Sequence, residues 1–241
     1  MNKYMNDHDA KQQILDVGRR IYAHGFVAAN DGNISCKAGD NEFWVTPTGV
    51  SKGFMTEDML LKVDGEGNIL EGTCKPSSEI KIHLRAYKEN SSIQGVVHAH
   101  PLTATCFAAA GLSLEEPILT EGILVLGSVP LAHYEKPGTT GLADSIAPYC
   151  IDFNGVLMAN HGALTWGDSL IQAYYRMETV EYYAKATLIT KYILRHSCSL
   201  SQRQVDDLIE IRKNTGVSGG GRMPAPEKES NLEDIMISAV I

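Results

Sequence analysis

Apolar residues recur at helical spacing in several parts of the chain. In the first of these, Ile14, Val17 and Ile21 lie three or four residues apart among charged residues, which predicts a helix over 8–24 that Gly25 ends. Further helices are predicted over 76–90, 101–110, 140–149, 168–195 and 201–213. The helix over 168–195 is the longest, and Asp168 is its expected N-cap.

Short runs of apolar and β-branched residues lie between these helices. They predict strands over 34–37, 42–46, 60–63, 67–71, 95–100, 122–126 and 155–158. Turns rich in Gly, Asn and Asp at 38–41 and 64–67 join neighbouring runs, which is typical of antiparallel hairpins. The pattern therefore predicts helices that flank a mostly antiparallel sheet.

One domain is expected over residues 1–213, because no long linker rich in Ser, Gly or Pro interrupts that part of the chain. Residues 214–241 differ in composition: three glycines at 219–221 and two prolines precede a short apolar stretch at 235–237. We expect a flexible C-terminal tail there. The alternative is a segment that folds over a site or over a neighbouring subunit.

Composition and charge narrow the class of protein. With 29 acidic and 21 basic residues, the formal net charge of −8 argues against a nucleic-acid partner. There is no run of about 18 apolar residues and no apolar core of a secretory signal, so we expect no membrane partner. The five cysteines include no CxxC pair, which excludes a Cys-based zinc knuckle and is typical of a reducing compartment. A cytoplasmic location fits these features.

Three histidines lie at the predicted ends of strands. His98 and His100 are two positions apart on one strand and therefore project from the same face, as a pair of metal ligands requires. Such a pair can also be satisfied by ordinary hydrogen bonds. His161 strengthens the metal hypothesis, because it follows a second strand and precedes Gly162, which permits close backbone approach. Three imidazoles with an open fourth position are typical of a catalytic zinc site.

A second candidate feature is the start of the helix predicted over 76–90. Ser77 and Ser78 would offer hydroxyl groups and free backbone N–H groups at the positive end of the helix dipole, which suits an anion. Ordinary helix capping is the alternative. The turns at 31–33 and 48–49 have compact backbone donors that would suit a phosphate group as well.

Glu79 lies in the first turn of the same predicted helix, where a carboxylate is favoured by the dipole. It is also four residues before His83, so the two side chains would share one helix face. A metal pair of Glu79 and His83 on that helix is therefore a rival to the histidine site.

Five short motifs occur in one order: GNIS at 32–35, TPTG at 46–49, PSSE at 76–79, HAH at 98–100 and NHG at 160–162. Together they resemble the class II aldolase/adducin family over residues 11–194, and most closely its branch that acts on L-fuculose 1-phosphate. The resemblance implies an α/β fold, a layered α/β/α domain around a central, mainly antiparallel sheet. It also implies a homotetramer with active sites at the subunit interfaces.

The resemblance also implies the site residues. His98, His100 and His161 would bind one Zn²⁺ per chain, and Glu79 would be the fourth ligand in the resting state. Mn²⁺ or Co²⁺ could substitute for zinc. The substrate phosphate would be bound by a set of polar residues on four segments: Asn33, Thr48, Gly49, Ser77 and Ser78.

The implied reaction is the zinc-dependent cleavage of a ketose 1-phosphate to dihydroxyacetone phosphate and an aldehyde such as L-lactaldehyde. The metal ion would act as a Lewis acid on the substrate oxygens. Substrate would displace Glu79, which would then exchange a proton with the hydroxymethyl carbon of dihydroxyacetone phosphate.

One segment departs from the family pattern. Where the aldolases have a tyrosine from the neighbouring subunit, this chain has Glu121. Acid catalysis at the aldehyde oxygen could pass to Glu121, to Tyr134, or to a group in the tail. Glu121 could equally be a surface carboxylate.

Other functions keep the same metal histidines. A ribulose-5-phosphate 4-epimerase, a methylthioribulose-1-phosphate dehydratase and an aldolase for another deoxy-ketose phosphate are alternatives within the enzyme class. The epimerases use an aspartate in the divergent segment, which this chain lacks. An adducin-like binding module is the alternative from another class. A nucleotide-binding protein has little support, since neither GxGxxG nor Walker A occurs.

Overall fold

The computed structural model describes residues 4–217, and an eight-stranded sheet forms its centre. The strands are β1 (Asn33–Gly39), β2 (Glu42–Val45), β3 (Leu61–Val63), β4 (Ile69–Glu71), β5 (Gly95–Ala99), β6 (Leu131–Ala132), β7 (Gly155–Met158) and β8 (Gly162–Gly167). Their order in the sheet is β4-β3-β2-β1-β5-β8-β7-β6. Every pair is antiparallel except β6–β7, which confirms the mainly antiparallel sheet.

Helices cover both faces of the sheet. They are α1 (Asp7–Ala23), α2 (Ile80–Glu89), α3 (Leu102–Ala109), α4 (Thr140–Ile146), α5 (Leu170–Thr187) and α6 (Gln202–Asn214). Side chains of α1, α3 and α5 share one core cluster with one sheet face, while α2 and α4 share a second cluster with the other face. The result is the α/β/α layering that the resemblance implied.

Successive side chains of β5 point alternately into the two cores. Val97 and Ala99 point into the first core, whereas Val96 points into the second. His98 therefore faces the α2 layer, at the centre of the sheet between β1 and β8. This placement fixes where the candidate metal site can form.

The predicted strand over 122–126 is wrong. The segment Gly122–Leu126 forms a π-helical turn, and Gly127, with φ of 77°, ends it. Its buried residues are Gly122, Ile123 and Leu126, which is the spacing of a helix face rather than of a strand. A short apolar run between glycines gives no period by which the two structures could be distinguished.

Other boundaries also differ from the predictions. Ser169, not Asp168, caps α5, and its side chain accepts a hydrogen bond from the backbone N–H of Gln172. This helix ends at Thr187 and continues as a second π-helical segment, Leu188–Ile193. Two strands, β6 and β8, were not predicted. The hairpins over 34–46 and 60–71, and the strand at 155–158, agree with the predictions.

The α6 helix ends at Asn214, close to the predicted domain boundary. The candidate tail from residue 218 onward, with its apolar stretch at 235–237, lies outside the described residues, so its role stays a prediction. Among residues 4–217, no helix is long and apolar enough to cross a membrane.

Candidate metal and substrate site

The β-sheet places His98 in its interior, where the side chain is fully buried. The His98 Nδ1 lies 2.9 Å from the carbonyl oxygen of Ala163 on the neighbouring strand. Because a carbonyl can only accept, Nδ1 carries a proton, and Nε2 is the ring nitrogen left to bind a metal ion. The backbone of β8 thus fixes the ring orientation that a metal ligand needs.

His100 lies just beyond the end of β5. Its backbone N–H donates to the carbonyl of Phe26 (2.8 Å), and its Nε2 lies 3.1 Å from Nε2 of His98. The carboxylate of Asp31 is 3.6 Å from the other ring nitrogen of His100, which holds the ring from the opposite side.

His161 lies in the tight turn between β7 and β8. Asn160, directly before it, has a left-handed backbone with φ of 57°, which turns the chain back within three residues. A Cβ on Gly162 would come within 2.4 Å of His100 Cδ2. The predicted close backbone approach at Gly162 is therefore confirmed, since a larger residue would displace His100.

Nitrogen atoms of the three imidazoles converge, and one atom from each lies within 4.8 Å of the others. Glu79 joins them: Oε1 is 3.0 Å from His161 Nε2, and Oε2 is 3.4 Å from His98 Nε2. A tetrahedral zinc ion with bonds of about 2.0–2.1 Å separates its ligand atoms by roughly 3.3 Å. The two Glu79 distances of 3.0 and 3.4 Å are close to that separation.

The chemistry of the donors also fits a cation. Nε2 of His98 faces both the Glu79 carboxylate and His100, so a positive ion between these groups would be stabilised by all three. Nδ1 of His161 is buried and has no hydrogen-bond partner within residues 4–217. The residues present therefore form a site suited to a divalent metal ion.

Electrostatics keep these groups in their ligand forms. Burial raises the pKa of the Glu79 carboxyl, but the adjacent imidazoles of His161 and His98 outweigh it and hold the pKa well below its usual range. Burial and the neighbouring His98 and His161 lower the pKa of His100 to about 3. At neutral pH the site thus presents a carboxylate and, at His100, a neutral imidazole.

The predicted phosphate residues lie beside this cluster. Asn33 is paired with His98 across β1 and β5, and its Nδ2 donates to Glu79 Oε2 (3.0 Å) and to Ser77 Oγ (3.4 Å). Asn33 therefore connects the candidate metal site with the serines.

The turn that contains Thr48 and Gly49 lies against the segment just before Ser77 and Ser78. An isolated β-bridge joins Pro47 to Pro76, and the Thr48 backbone N–H donates to the carbonyl of Lys75 (2.9 Å). Gly49 has φ of 73°, and an added Cβ would meet no atom within 4 Å. The turn therefore requires glycine because of this left-handed backbone conformation and not because a side chain would clash. The start of β1 and two separate turns therefore bring Asn33 and the phosphate candidates of the 48–49 and 77–78 segments together.

The predicted start of α2 needs correction. The helix begins at Ile80, not at residue 76, and Glu79 is its N-cap. Ser77 and Ser78 belong to the turn before it, and Ser77 Oγ accepts from the backbone N–H of Glu79 (3.3 Å). The serines thus remain at the N-terminus of α2 but outside its first turn.

The rival metal pair of Glu79 and His83 is wrong. His83 is fully buried, and both of its ring nitrogens have partners away from the histidine cluster. Nε2 lies 2.5 Å from Asn33 Oδ1, and Nδ1 lies 2.7 Å from Ser35 Oγ. The spacing of Glu79 and His83 reflects a hydrogen-bond network behind the site.

Neither candidate proton donor is joined to the cluster. Glu121 is exposed at the start of the π-helical turn, and Tyr134 is 60% exposed. Within residues 4–217, no hydrogen bond or ion pair connects either side chain to the three histidines or to Glu79. Their roles stay predictions.

A family model for the class II aldolase and adducin N-terminal domain matches residues 12–188, more than half of the chain. The chain belongs to this family. Its members among the similar proteins are lyases, and the chain is accordingly a lyase of the class II aldolase type.

Two activities occur among the proteins to which this chain is similar. The chain is 34% identical to an L-fuculose phosphate aldolase of Methanocaldococcus jannaschii over 180 residues, which are 74% of this chain and 96% of that relative. It is 32% identical to a 3-oxo-tetronate 4-phosphate decarboxylase of Haemophilus influenzae over 186 residues, 75% of this chain and 88% of that relative. A solved L-fuculose 1-phosphate aldolase superposes with a TM-score of 0.80 at 28% identity, covering 88% of this chain and 100% of its own. The expected fold is confirmed.

Proposed function

We propose that the chain is a zinc-dependent aldolase that cleaves a ketose 1-phosphate, such as L-fuculose 1-phosphate, to dihydroxyacetone phosphate and an aldehyde such as L-lactaldehyde. The observation that carries the proposal is the hydrogen-bonded connection between the candidate metal site and the candidate phosphate site. Three converging imidazoles share the carboxylate of Glu79, and Asn33 connects that carboxylate to the serines at the start of α2.

Zinc is the proposed ion, held by His98, His100, His161 and, before substrate binds, Glu79. Imidazole nitrogens with one carboxylate suit zinc, although Mn²⁺ or Co²⁺ could occupy the same ligands. When bound, the ion supplies Lewis-acid polarisation of the substrate carbonyl and adjacent hydroxyl.

The phosphate group of the substrate would be bound by Asn33, the turn at Thr48 and Gly49, and the hydroxyl groups of Ser77 and Ser78. Amide, hydroxyl and backbone N–H groups are all donors, so the cradle can orient a dianion without a side-chain charge. Fixing the phosphate end places the carbon chain toward the histidines, which contributes orientation to catalysis.

Glu79 would transfer the proton. In the resting site the imidazoles of His161 and His98 keep its pKa low. Displacement by substrate removes that cause, so the carboxylate becomes a stronger base. In cleavage, the bond between the third and fourth carbons breaks, and the hydroxyl proton of the fourth carbon passes to the group proposed at the aldehyde oxygen. The displaced Glu79 takes up a proton from solvent and delivers it to the third carbon. That carbon becomes the hydroxymethyl group of dihydroxyacetone phosphate.

Glu121 and Tyr134 are proposed to act at the aldehyde oxygen. Both side chains are exposed on the single chain, where a carboxylate or phenol could reach a site shared between subunits. A homotetramer with interface active sites is proposed with them, in a cytoplasmic location.

A second candidate is the decarboxylation of a 3-oxo-tetronate 4-phosphate. The observation that favours it is the 32% identity to the Haemophilus influenzae decarboxylase. Loss of carbon dioxide from such an acid gives the same enediolate as the aldol cleavage, and Glu79 would protonate it in the same way. Carbon dioxide leaves without needing a proton, so this reaction would need no group in the role of Glu121 or Tyr134.

A substrate panel distinguishes the two. The zinc-loaded protein is incubated with L-fuculose 1-phosphate, with other ketose 1-phosphates and with 3-oxo-tetronate 4-phosphate. Dihydroxyacetone phosphate is measured by coupled reduction, and the second product is measured as aldehyde or as carbon dioxide. Aldehyde release from a ketose 1-phosphate supports the aldolase. Carbon dioxide release alone replaces it with the decarboxylase.

A further inference from the structure

A buried hydrogen-bond network runs along the side of the proposed site that faces α2. Its members are Asn33 and Ser35 on β1, and His83 and Tyr87 on α2. Two steps along a strand advance by about 6.8 Å, and four residues of a helix advance by about 6 Å, so the two pairs can meet in register. Glu79 precedes His83 by four residues and continues the same stripe of α2 toward the histidines.

The charge of Glu79 sets the direction of every hydrogen bond in this network. A carboxylate only accepts, so the NH₂ group of Asn33 must face Glu79 (3.0 Å) and Oδ1 must be an acceptor. His83 Nε2 lies 2.5 Å from that oxygen and must carry the proton.

The other half of the network follows from that tautomer. Nδ1 of His83 can then only accept, so it takes the hydroxyl proton of Ser35 at 2.7 Å. The hydroxyl oxygen of Ser35 accepts in turn from Tyr87 OH at 2.9 Å. Each polar group has a partner, as a buried network requires.

Glu79 excludes the alternative orientation of Asn33. If the amide were flipped, Oδ1 would face the carboxylate of Glu79, and a contact between two acceptors is repulsive. His83 is fully buried, and burial together with the neighbouring His98 lowers its pKa to about 3, so it stays a neutral partner of Asn33.

We propose that His83, supported by Ser35 and Tyr87, is a positioning residue that fixes the Asn33 amide so that its NH₂ group serves both Glu79 and the phosphate cradle at Ser77. The ring of His83 makes its two hydrogen bonds to Asn33 and Ser35, not to the side chains of the proposed metal ligands. The inference rests on the proposed function for the meaning of the cradle, but the orientation of Asn33 can be measured without any sugar substrate.

Two variants test the role. His83→Leu removes the donor to Asn33, whereas His83→Gln keeps an N–H at a similar distance from the backbone. We expect His83→Leu to lower kcat/KM by about 10–100-fold and to weaken the binding of inorganic phosphate by calorimetry by about tenfold. His83→Gln should recover most of both, and zinc content should not change. His133→Leu, at an exposed histidine of the β6 end, is the control and should behave as wild type.

A purely structural role for His83 would lower thermal stability in both variants alike and would leave phosphate affinity of the folded protein unchanged. That outcome overturns the proposal. Because His83→Leu could fail to fold, the tautomer of His83 in the wild-type protein provides a second, independent test. Solid-state ¹⁵N spectra of histidine-labelled protein, assigned by difference from His83→Gln, should show a proton on Nε2 of His83. A proton on Nδ1 overturns the proposal as well.

Failure of the proposed function has a different signature. In that case the wild type would cleave none of the sugar phosphates, yet phosphate affinity would still depend on the donor at position 83. If instead the wild type is active and His83→Leu matches it in both cleavage and phosphate binding, the function stands and the role of His83 is refuted.

Discussion

Glu79 is the residue on which the proposed chemistry depends most. Its carboxylate lies within 3.4 Å of two imidazoles and accepts a hydrogen bond from the amide of Asn33, so one side chain connects the proposed metal ligands with the proposed phosphate cradle. We expect Glu79→Gln to reduce kcat for cleavage by about 10²–10⁴-fold, because an amide cannot exchange the proton. The three histidines should still retain zinc, measured by elemental analysis.

Glu89→Gln is the matched control for Glu79→Gln, since Glu89 lies on the same helix and pairs with Arg85 away from the histidines. It should keep wild-type activity. Retention of full activity in Glu79→Gln would remove the carboxylate from the mechanism.

Gly162 makes a different kind of contribution at the residue scale. A methyl group there would meet His100 at 2.4 Å and the carbonyl of Ala99 at 2.7 Å. Gly162→Ala should therefore weaken zinc binding by tenfold or more in a competition titration with a chelator, while the sheet still folds. Gly122→Ala, where the added methyl group meets only ordinary contacts of 3.6 Å, should bind zinc normally. Equal affinity in both variants would contradict the contact described at His100.

At the scale of elements, Lys52 connects two loops near the site. It begins a 3₁₀ turn, is only 1% exposed, and its Nζ donates to the carbonyls of Asn30 (3.0 Å) and Val50 (2.6 Å). Burial lowers its pKa to about 8, against the opposing effect of the Asp31 charge. The loop before β1 and the turn after β2 are thus held by one buried ammonium group.

This pKa gives a stability prediction with a definite sign. Between about pH 8 and the ordinary lysine pKa of 10.5, the unfolded chain binds a proton that the folded chain has lost, so raising the pH favours the folded state. Relative to Lys52→Met, the free energy of unfolding of the wild type should rise through this window by about 3 kcal/mol at most. Urea titrations of the metal-free protein measure it, with Lys88→Met as a control for the change in net charge. A difference that stays flat or falls would contradict the burial of a titrating Lys52.

The elements themselves were predictable to different degrees. Hairpins with Gly- and Asp-rich turns, and helices such as α1 with a clear apolar period, are encoded locally, and the structure agrees with them. The segment at 122–126 and strand β8 were not, because their residues are apolar on every side and carry no period. Tertiary packing decides such segments.

The candidate site shows the same division. His98, His100 and His161 could be predicted from local strand ends, and the fold brings them together. The role of His83 could not, since it depends on the register of β1 against α2, which pairs residues 50 positions apart. The i, i+2 spacing of Asn33 and Ser35 with the i, i+4 spacing of His83 and Tyr87 was the available signal.

On the scale of the whole molecule, the surface predicts association. Large apolar side chains are exposed along α5 and the π-helical segment after it, among them Tyr175, Tyr182, Ile189 and Ile193. Exposed apolar side chains concentrated on neighbouring elements favour a protein–protein contact there. Light scattering should give a mass about four times the 26.3 kDa of one chain. A mass of one chain at micromolar concentration would contradict the proposed tetramer and the interface roles of Glu121 and Tyr134.

The central claim is that this site, when it holds a metal ion, exchanges a carbon-bound proton of dihydroxyacetone phosphate with solvent. The most direct test incubates the protein with dihydroxyacetone phosphate alone in deuterium oxide and follows its hydroxymethyl protons by NMR. The account predicts stereospecific loss of one proton signal that stops on chelation, returns with zinc, and is absent in Glu79→Gln. Exchange that persists without metal, or no exchange in a protein that holds zinc at the three histidines, would contradict it.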